Sequence, residues 1–336
     1  MQSLAFFNNK GGVGKTTLAC NMASYFAREH DLNVLVVDCD PQCNASQLLL
    51  AEEMWEDLYA NRRDSSNKTL LKALRHIRAG DSQVDTDLPL YKSERFGCDV
   101  LAGHPGLSIL EDRFSSSWGE LLQGTPGGAR RTLWAGTLAS SVRYDLVIFD
   151  LGPSLGALNR SVLLGSEFFM TPMSADLFSL YALDNIGTWI KSWVRDYERS
   201  AKTIREEHDD DFVEGGLPET LPVASGYLGY TVQQYVTKNT GGQLRAVNAY
   251  DRYRRQIPER AQVLAEYQAP SVVDLNIGLV PNMFSMVPLA QAQHAPISDL
   301  TPADGVRGAQ VSQHKRYVAR LREIGQRLAE NLGIGG

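Results

Sequence analysis

The chain contains no apolar run approaching the roughly 18 residues of a membrane-crossing helix, and its first residues lack the basic start and apolar segment of a secretory leader. Its expected place is the cytoplasm. Cysteine is scarce: Cys20, Cys39, Cys43 and Cys98 are the only four in 336 residues, and none forms a C-x-x-C pair. That excludes a disulfide framework and offers no spacing suited to a cysteine-held metal or cluster. Neither an internal repeat nor a linker rich in Gly, Ser or Pro divides the middle, so residues 1–336 are expected to form one decorated domain. Positive charge is not in excess either. A formal net charge of −6 excludes a globally basic nucleic-acid binder and leaves any such contact to a local patch.

What is present begins at once. The apolar run Leu4-Ala5-Phe6-Phe7 leads into Asn9-Lys10-Gly11-Gly12-Val13-Gly14-Lys15-Thr16-Thr17, and a helical spacing of Leu18, Met22, Tyr25 and Phe26 follows. Strand, glycine-rich loop and helix in that order make a phosphate-binding loop. The glycines let successive backbone N–H groups turn towards a polyphosphate, Lys15 supplies a point charge for its outer phosphates, and the Thr16 hydroxyl is placed for magnesium. The expected ligand is a nucleoside triphosphate. Two further apolar runs end in carboxylates, at Asp38-Cys39-Asp40 and at Asp150-Leu151-Gly152. In an open α/β sheet the carboxyl ends of the strands form the ligand edge, so both sets should converge on the loop.

Lys10, a second lysine at the start of the loop, makes the form Lys-Gly-Gly-x-Gly-Lys-Thr-Thr, which resembles the deviant Walker A loop of the ParA/MinD P-loop ATPases and, over most of the chain, the ParA family. The resemblance implies ATP and Mg2+ as cofactors, with Lys10, Gly11, Gly12, Val13, Gly14, Lys15, Thr16 and Thr17 around the phosphates. Lys15 would act on its own chain's nucleotide and Lys10 on that of a partner copy, as an arginine finger does. It further implies Asp150 with Thr16 as magnesium holders, Asp38 as support for the magnesium shell, Asp40 as the carboxylate that orients the attacking water, and the Gly152 backbone N–H as a sensor of the γ-phosphate. The family pattern usually has Pro where this chain has Gly152, which implies a looser segment there. Pro281 and Asn282 resemble the loop that closes over adenine.

Runs at 4–7, 34–37, 99–101, 146–149, 168–170, 224–230 and 276–280 alternate with helical patterns. The fold class expected is α/β: a doubly wound, mostly parallel sheet with helices on both faces. Residues 52–95 and 192–222 read as helical insertions or decorations, and the acidic run 206–211 as a solvated loop. The segment 238–260 holds Lys238, Arg245, Arg252, Arg254, Arg255 and Arg260 against Asp251 and Glu259. By itself it reads as a solvated face with internal ion pairs. The resemblance implies instead contacts to DNA phosphates without sequence readout. The last helical stretch carries Val311, Val318, Leu321, Ile324, Leu328 and Leu332 at helical spacing and reads as a helix packed on the sheet.

The function expected is that of a partition or positioning ATPase: an ATP-dependent homodimer that binds DNA non-specifically, on the nucleoid, and is released when a ParB-like adaptor stimulates slow hydrolysis. A MinD-like membrane-associated positioning ATPase and a P-loop metabolic enzyme or regulatory switch are the alternatives.

Overall fold

The computed structural model describes residues 1–60, 65–235, 237–240, 243–246 and 248–335, without the side chains of 57, 60, 65, 234, 235, 237–240, 243–246, 248 and 249. The strands are β1 (Gln2–Phe6), β2 (Val34–Asp38), β3 (Leu90–Ser93), β4 (Cys98–Leu101), β5 (Leu146–Asp150), β6 (Phe168–Ser174), β7 (Tyr227–Tyr235), β8 (Thr237–Thr240), β9 (Gln243–Ala246) and β10 (Asn276–Pro281). The helices are α1 (Lys15–Glu29), α2 (Asn44–Leu49), α3 (Glu52–Ala60), α4 (Leu70–Ala73), α5 (Arg75–Ala79), α6 (Leu110–Leu122), α7 (Pro126–Thr132), α8 (Trp134–Ser141), α9 (Ala157–Gly165), α10 (Leu177–Glu207), α11 (Asp209–Glu214), α12 (Asn248–Arg254), α13 (Ile257–Ala261), α14 (Met286–Ala292) and α15 (Ala309–Leu332).

One eight-stranded sheet runs β10-β7-β6-β1-β5-β2-β4-β3. Every neighbouring pair in it is parallel except β3 with β4. Its two central strands β2 and β5 are apolar up to their terminal aspartates because helices cover both faces: Val34 to Val37 and Leu146 to Phe149 are at most 2% exposed. One layer packs α1 against α15, with α15 also on β10; the other packs α6, α8, α9 and α10 together. The stripe of α15 is buried at Leu321, Ile324, Leu328 and Leu332, as expected, while Val311 at its start stays exposed.

The seven expected strands are all there, with differences that have local causes. The run at 224–230 begins later, at Tyr227, because Pro222–Ser225 forms a 3-10 turn and Gly226 lies against the Glu167 backbone. Residues 52–95 are helical as expected at α3, α4 and α5, yet they also supply the antiparallel edge strand β3. The region 192–222 is in its first half a direct continuation of α10. The acidic run 206–211 is helix at the end of α10 and the start of α11 rather than loop: Asp209, Asp210 and Asp211 occupy the first turn of α11, where carboxylates meet the positive end of the helix dipole, and Phe212 pins that turn to the core.

Candidate nucleotide-binding site

β1 ends at Phe6, whose register partner is Asp150 at the end of β5; Asp150 in turn pairs with Asp38 at the end of β2. Parallel register therefore sets both carboxylates beside the loop that leaves β1. Gly12 (φ 72°) and Gly14 (φ 74°) are left-handed, a conformation that costs glycine little, and Gly14 is the N-cap from which α1 starts at Lys15. The buried Asn8 fastens the loop's entry. Its amide donates to Pro172 O at 2.8 Å and its Oδ1 accepts from Lys10 N at 2.9 Å.

Inside the loop Lys15 Nζ donates to Lys10 O at 3.0 Å. Burial lowers the Lys15 pKa, and the nearby Asp150 and Asp40 carboxylates oppose that shift. Val13 is fully buried. The Lys10 ammonium is not in the loop; it forms an ion pair with Asp176, the N-cap of α10, both side chains being about one-third exposed.

Thr16 Oγ1 donates to Asp150 Oδ2 at 2.7 Å, and Asp150 Oδ1 is buried with no partner. Burial, then the neighbouring Asp38, pushes the Asp150 carboxyl up to about 8. A hydroxyl beside a desolvated carboxylate with a spare oxygen suits a hard divalent cation of magnesium type, which takes oxygen ligands and would offset that penalty. Asp38 is placed differently. Its Oδ2 accepts from Ser46 N (2.8 Å) and Oγ (2.7 Å) and its Oδ1 from Asp40 N (3.2 Å), so both oxygens are engaged in holding the turn that aims Asp40. Burial raises its carboxyl to about 6. Asp40 lies across from Gly152: a Cβ at Gly152 would stand 3.1 Å from Asp40 Oδ1.

Two openings flank the loop. A cleft of about 780 Å³ is lined by Gly11 to Thr17 and Asp40, with Gln42, Gln47 and Trp55 on the far wall. A cavity of about 310 Å³ on the other side joins Gly14, Thr17 and Leu18 to Pro281, Asn282 and Gln233. Gln233 Nε2 is buried there without a partner. Asn8, Trp55 and Gln233 carry no motif; they come from separate stretches of chain that only the fold brings together.

The basic segment is less open than its composition implies. Lys238 and Arg245 are register partners in the β8–β9 hairpin, and their side chains lie outside those described. Asp251 pairs with both Arg254 and Arg255, and Arg260 Nη1 donates to Asp184 Oδ2 at 2.7 Å. Arg252 is exposed, with its guanidinium 6.0 Å from the Tyr253 ring centroid.

A phosphate loop with two lysines, closed over by acids at the ends of adjacent parallel strands, defines a P-loop ATPase of the deviant Walker A class. Residues 1–203 match the AAA_31 family model, an AAA domain; the chain belongs to that family and is a ParA-type P-loop ATPase. It is 28% identical over 287 residues to the chromosome partitioning protein ParA of Caulobacter vibrioides, covering 77% of this chain and 95% of that one. With the virulence plasmid ParA family protein pGP5-D of Chlamydia psittaci it shares 27% over 186 residues, 55% of this chain and 62% of that relative, so the match spans under two-thirds of that protein. Among solved structures it is similar to protein DIP2308 of Corynebacterium diphtheriae, with 34% identity, a TM-score of 0.77 and 99% of each chain covered. A Cyanothece McdA(D38A)–ATP complex shares the fold at 16% identity and a TM-score of 0.63, covering 100% of this chain and 98% of the other.

Proposed function

We propose that this chain is a partition or positioning ATPase: it binds ATP with magnesium, pairs with a second copy, holds DNA without reading its sequence, and lets go after hydrolysis stimulated by an adaptor protein. The observation that carries this reading is the division of labour between the two lysines. Lys15 lies buried within the loop, where it serves the chain's own phosphates, whereas Lys10 leaves the loop for the partly exposed Asp176 and can exchange that carboxylate for the nucleotide of a neighbouring copy. In this reading the base enters the cavity beside Pro281 and Asn282, and the triphosphate runs along Gly11 to Thr17 into the larger cleft. Magnesium neutralises charge on the transferred phosphoryl group. Asp150 and Thr16 hold the cation, Asp38 fixes the turn of Asp40, and Asp40 orients the water; such chemistry is mostly positioning and charge stabilisation.

The DNA surface is the part of the proposal that local ion pairs weaken, since Arg254, Arg255 and Arg260 already have acidic partners. Phosphates can compete for those arginines, which makes the expected binding steeply salt-dependent. The membrane-associated alternative gains nothing from α15, whose apolar stripe is buried at Leu321, Ile324, Leu328 and Leu332, and among the described residues no helix is long and apolar enough to cross a membrane.

The test is binding of a random-sequence duplex by the Asp40→Ala variant with ATP, with ADP and without nucleotide, at low and moderate salt. Binding only with ATP, weakening steeply with salt, supports the partition reading. Failure to bind in every nucleotide state removes DNA from it.

A further inference from the structure

Downstream of Asp150 the chain runs Leu151-Gly152-Pro153-Ser154-Leu155-Gly156 before α9 begins, with glycine at two of its six positions. It is tied down from α9. The buried Asn159 amide, only 3% exposed, donates to Gly152 O at 2.9 Å and Ser154 O at 2.7 Å, with Ser154 Oγ at 3.3 Å. An ordinary cap accepts from the N–H groups of its own helix. Asn159 does the reverse, giving both amide hydrogens to carbonyls five and seven residues upstream, outside its helix.

The cap of α9 comes from another helix. Gly156, the N-cap residue, has no side chain, and Leu158 N donates to Glu111 Oε2 of α6 at 3.2 Å. A Cβ at Gly156 would run into that same carboxylate, so the glycine is what lets Glu111 close on the helix start. One turn further, the Arg160 guanidinium lies 4.5 Å from the Trp118 ring centroid of α6 and 5.9 Å from that of Trp193 of α10. The segment after Asp150 is thus referenced to α6 and, through Arg160, to the long helix whose first residue follows Asp176.

We propose that Asn159 is a positioning residue for phosphoryl transfer: its amide clamps the Gly152–Ser154 backbone so that Gly152 stays against Asp40, and Glu111 holds the clamp by capping α9. The inference rests on the ATPase reading and deepens it. It also replaces the loose segment implied by Gly152 with one held by a side-chain amide beside the ring of Pro153. Removing the amide leaves the phosphate loop, Lys15 and the cation-holding pair untouched, and frees a backbone that has to stay within a fraction of an ångström of its working position.

The experiment compares wild type, Asn159→Ala and Glu111→Ala as full chains, by single-turnover phosphate release, affinity for a fluorescent ATP analogue, and hydrogen exchange of residues 151–165 with ATP and magnesium. For Asn159→Ala the expected result is phosphate release slowed by about tenfold to a hundredfold, nucleotide affinity within about twofold, and faster exchange confined to 152–156. Glu111→Ala should move the same segment and also the first turn of α9. Unchanged release, or equal loss of affinity, of release and of protection throughout α9, overturns the positioning role. Should Asn159→Ala fail to fold, Glu111→Ala carries the same comparison. A wild type that binds nucleotide but releases no phosphate sinks the ATPase reading instead, and the exchange pattern still decides whether the clamp exists.

Discussion

At the scale of single residues, Asp150 feels two opposed demands: the sheet interior favours its protonated form, with a carboxyl raised to about 8, while cation binding needs the carboxylate. The sign follows from linkage. A carboxyl raised above its ordinary value on folding contributes stability at low pH that is lost as pH rises through the interval up to about 8, and Asp38, raised to about 6, acts in the same direction. A cation that binds the charged form restores what was lost. The gain in melting temperature on adding magnesium should therefore grow from pH 6 to pH 9, and a gain that stays flat over that range contradicts the assignment of Asp150. The two lysines separate by a different measurement. Lys15→Ala should weaken nucleotide binding by more than about tenfold, the worth of a charge-assisted hydrogen bond, whereas Lys10→Ala should bind nucleotide normally and hydrolyse none. Wild-type turnover by Lys10→Ala would remove its proposed role across the dimer. The loop residues were legible because their spacing is itself the site. Asn159 was not, since a lone asparagine in a helical stretch has no pattern and acquires meaning only from the carbonyls it meets.

At the scale of elements, the end of β5 is supported by one large aromatic. Trp134 of α8 is fully buried, 6.1 Å from the Phe114 ring and 6.4 Å from that of Phe149, and its Nε1 donates to Ser161 Oγ at 2.8 Å. Trp134→Ala should destabilise the protein by about 3–5 kcal/mol, the usual cost of deleting a buried aromatic, as read by urea unfolding. A loss below about 1 kcal/mol would mean that the site collapses freely around the change. The same elements show which parts of a fold can be read in advance. Leu4 to Phe7, Val34 to Val37 and Leu146 to Phe149, which carry β1, β2 and β5, are continuous apolar runs, because both faces of these strands are covered. β3 alternates exposed and half-buried residues before Ser93, and an edge strand of four residues needs no apolar run to pair with β4. α11 is likewise hidden, since three consecutive aspartates read as solvated chain until a helix dipole accounts for them.

At the scale of the whole molecule, Lys10 and Asp176 meet with about one-third of each side chain exposed, and the proposed closure is by a second copy. With Asp40→Ala to prevent turnover, ATP and magnesium should double the mass measured by light scattering, and ADP should not. A mass that stays monomeric with ATP contradicts the sandwich dimer. The amino-acid sequence by itself determined the phosphate loop, the order of the central strands along the chain and the carboxylates at their ends, because each of these is a local pattern of apolar, glycine and acidic residues. Only the tertiary structure decided what those parts meet. Parallel register sets Asp38 beside Asp150, and hydrogen bonds from Ser46 and Asp40 engage both of its oxygens. An ion pair with a helix cap takes Lys10 out of its own loop, and acids distant in sequence or one helical turn away occupy the arginines of the basic segment. Charge and hydrogen bonds act through space over a few ångströms, so their partners are assigned by packing and not by position along the chain.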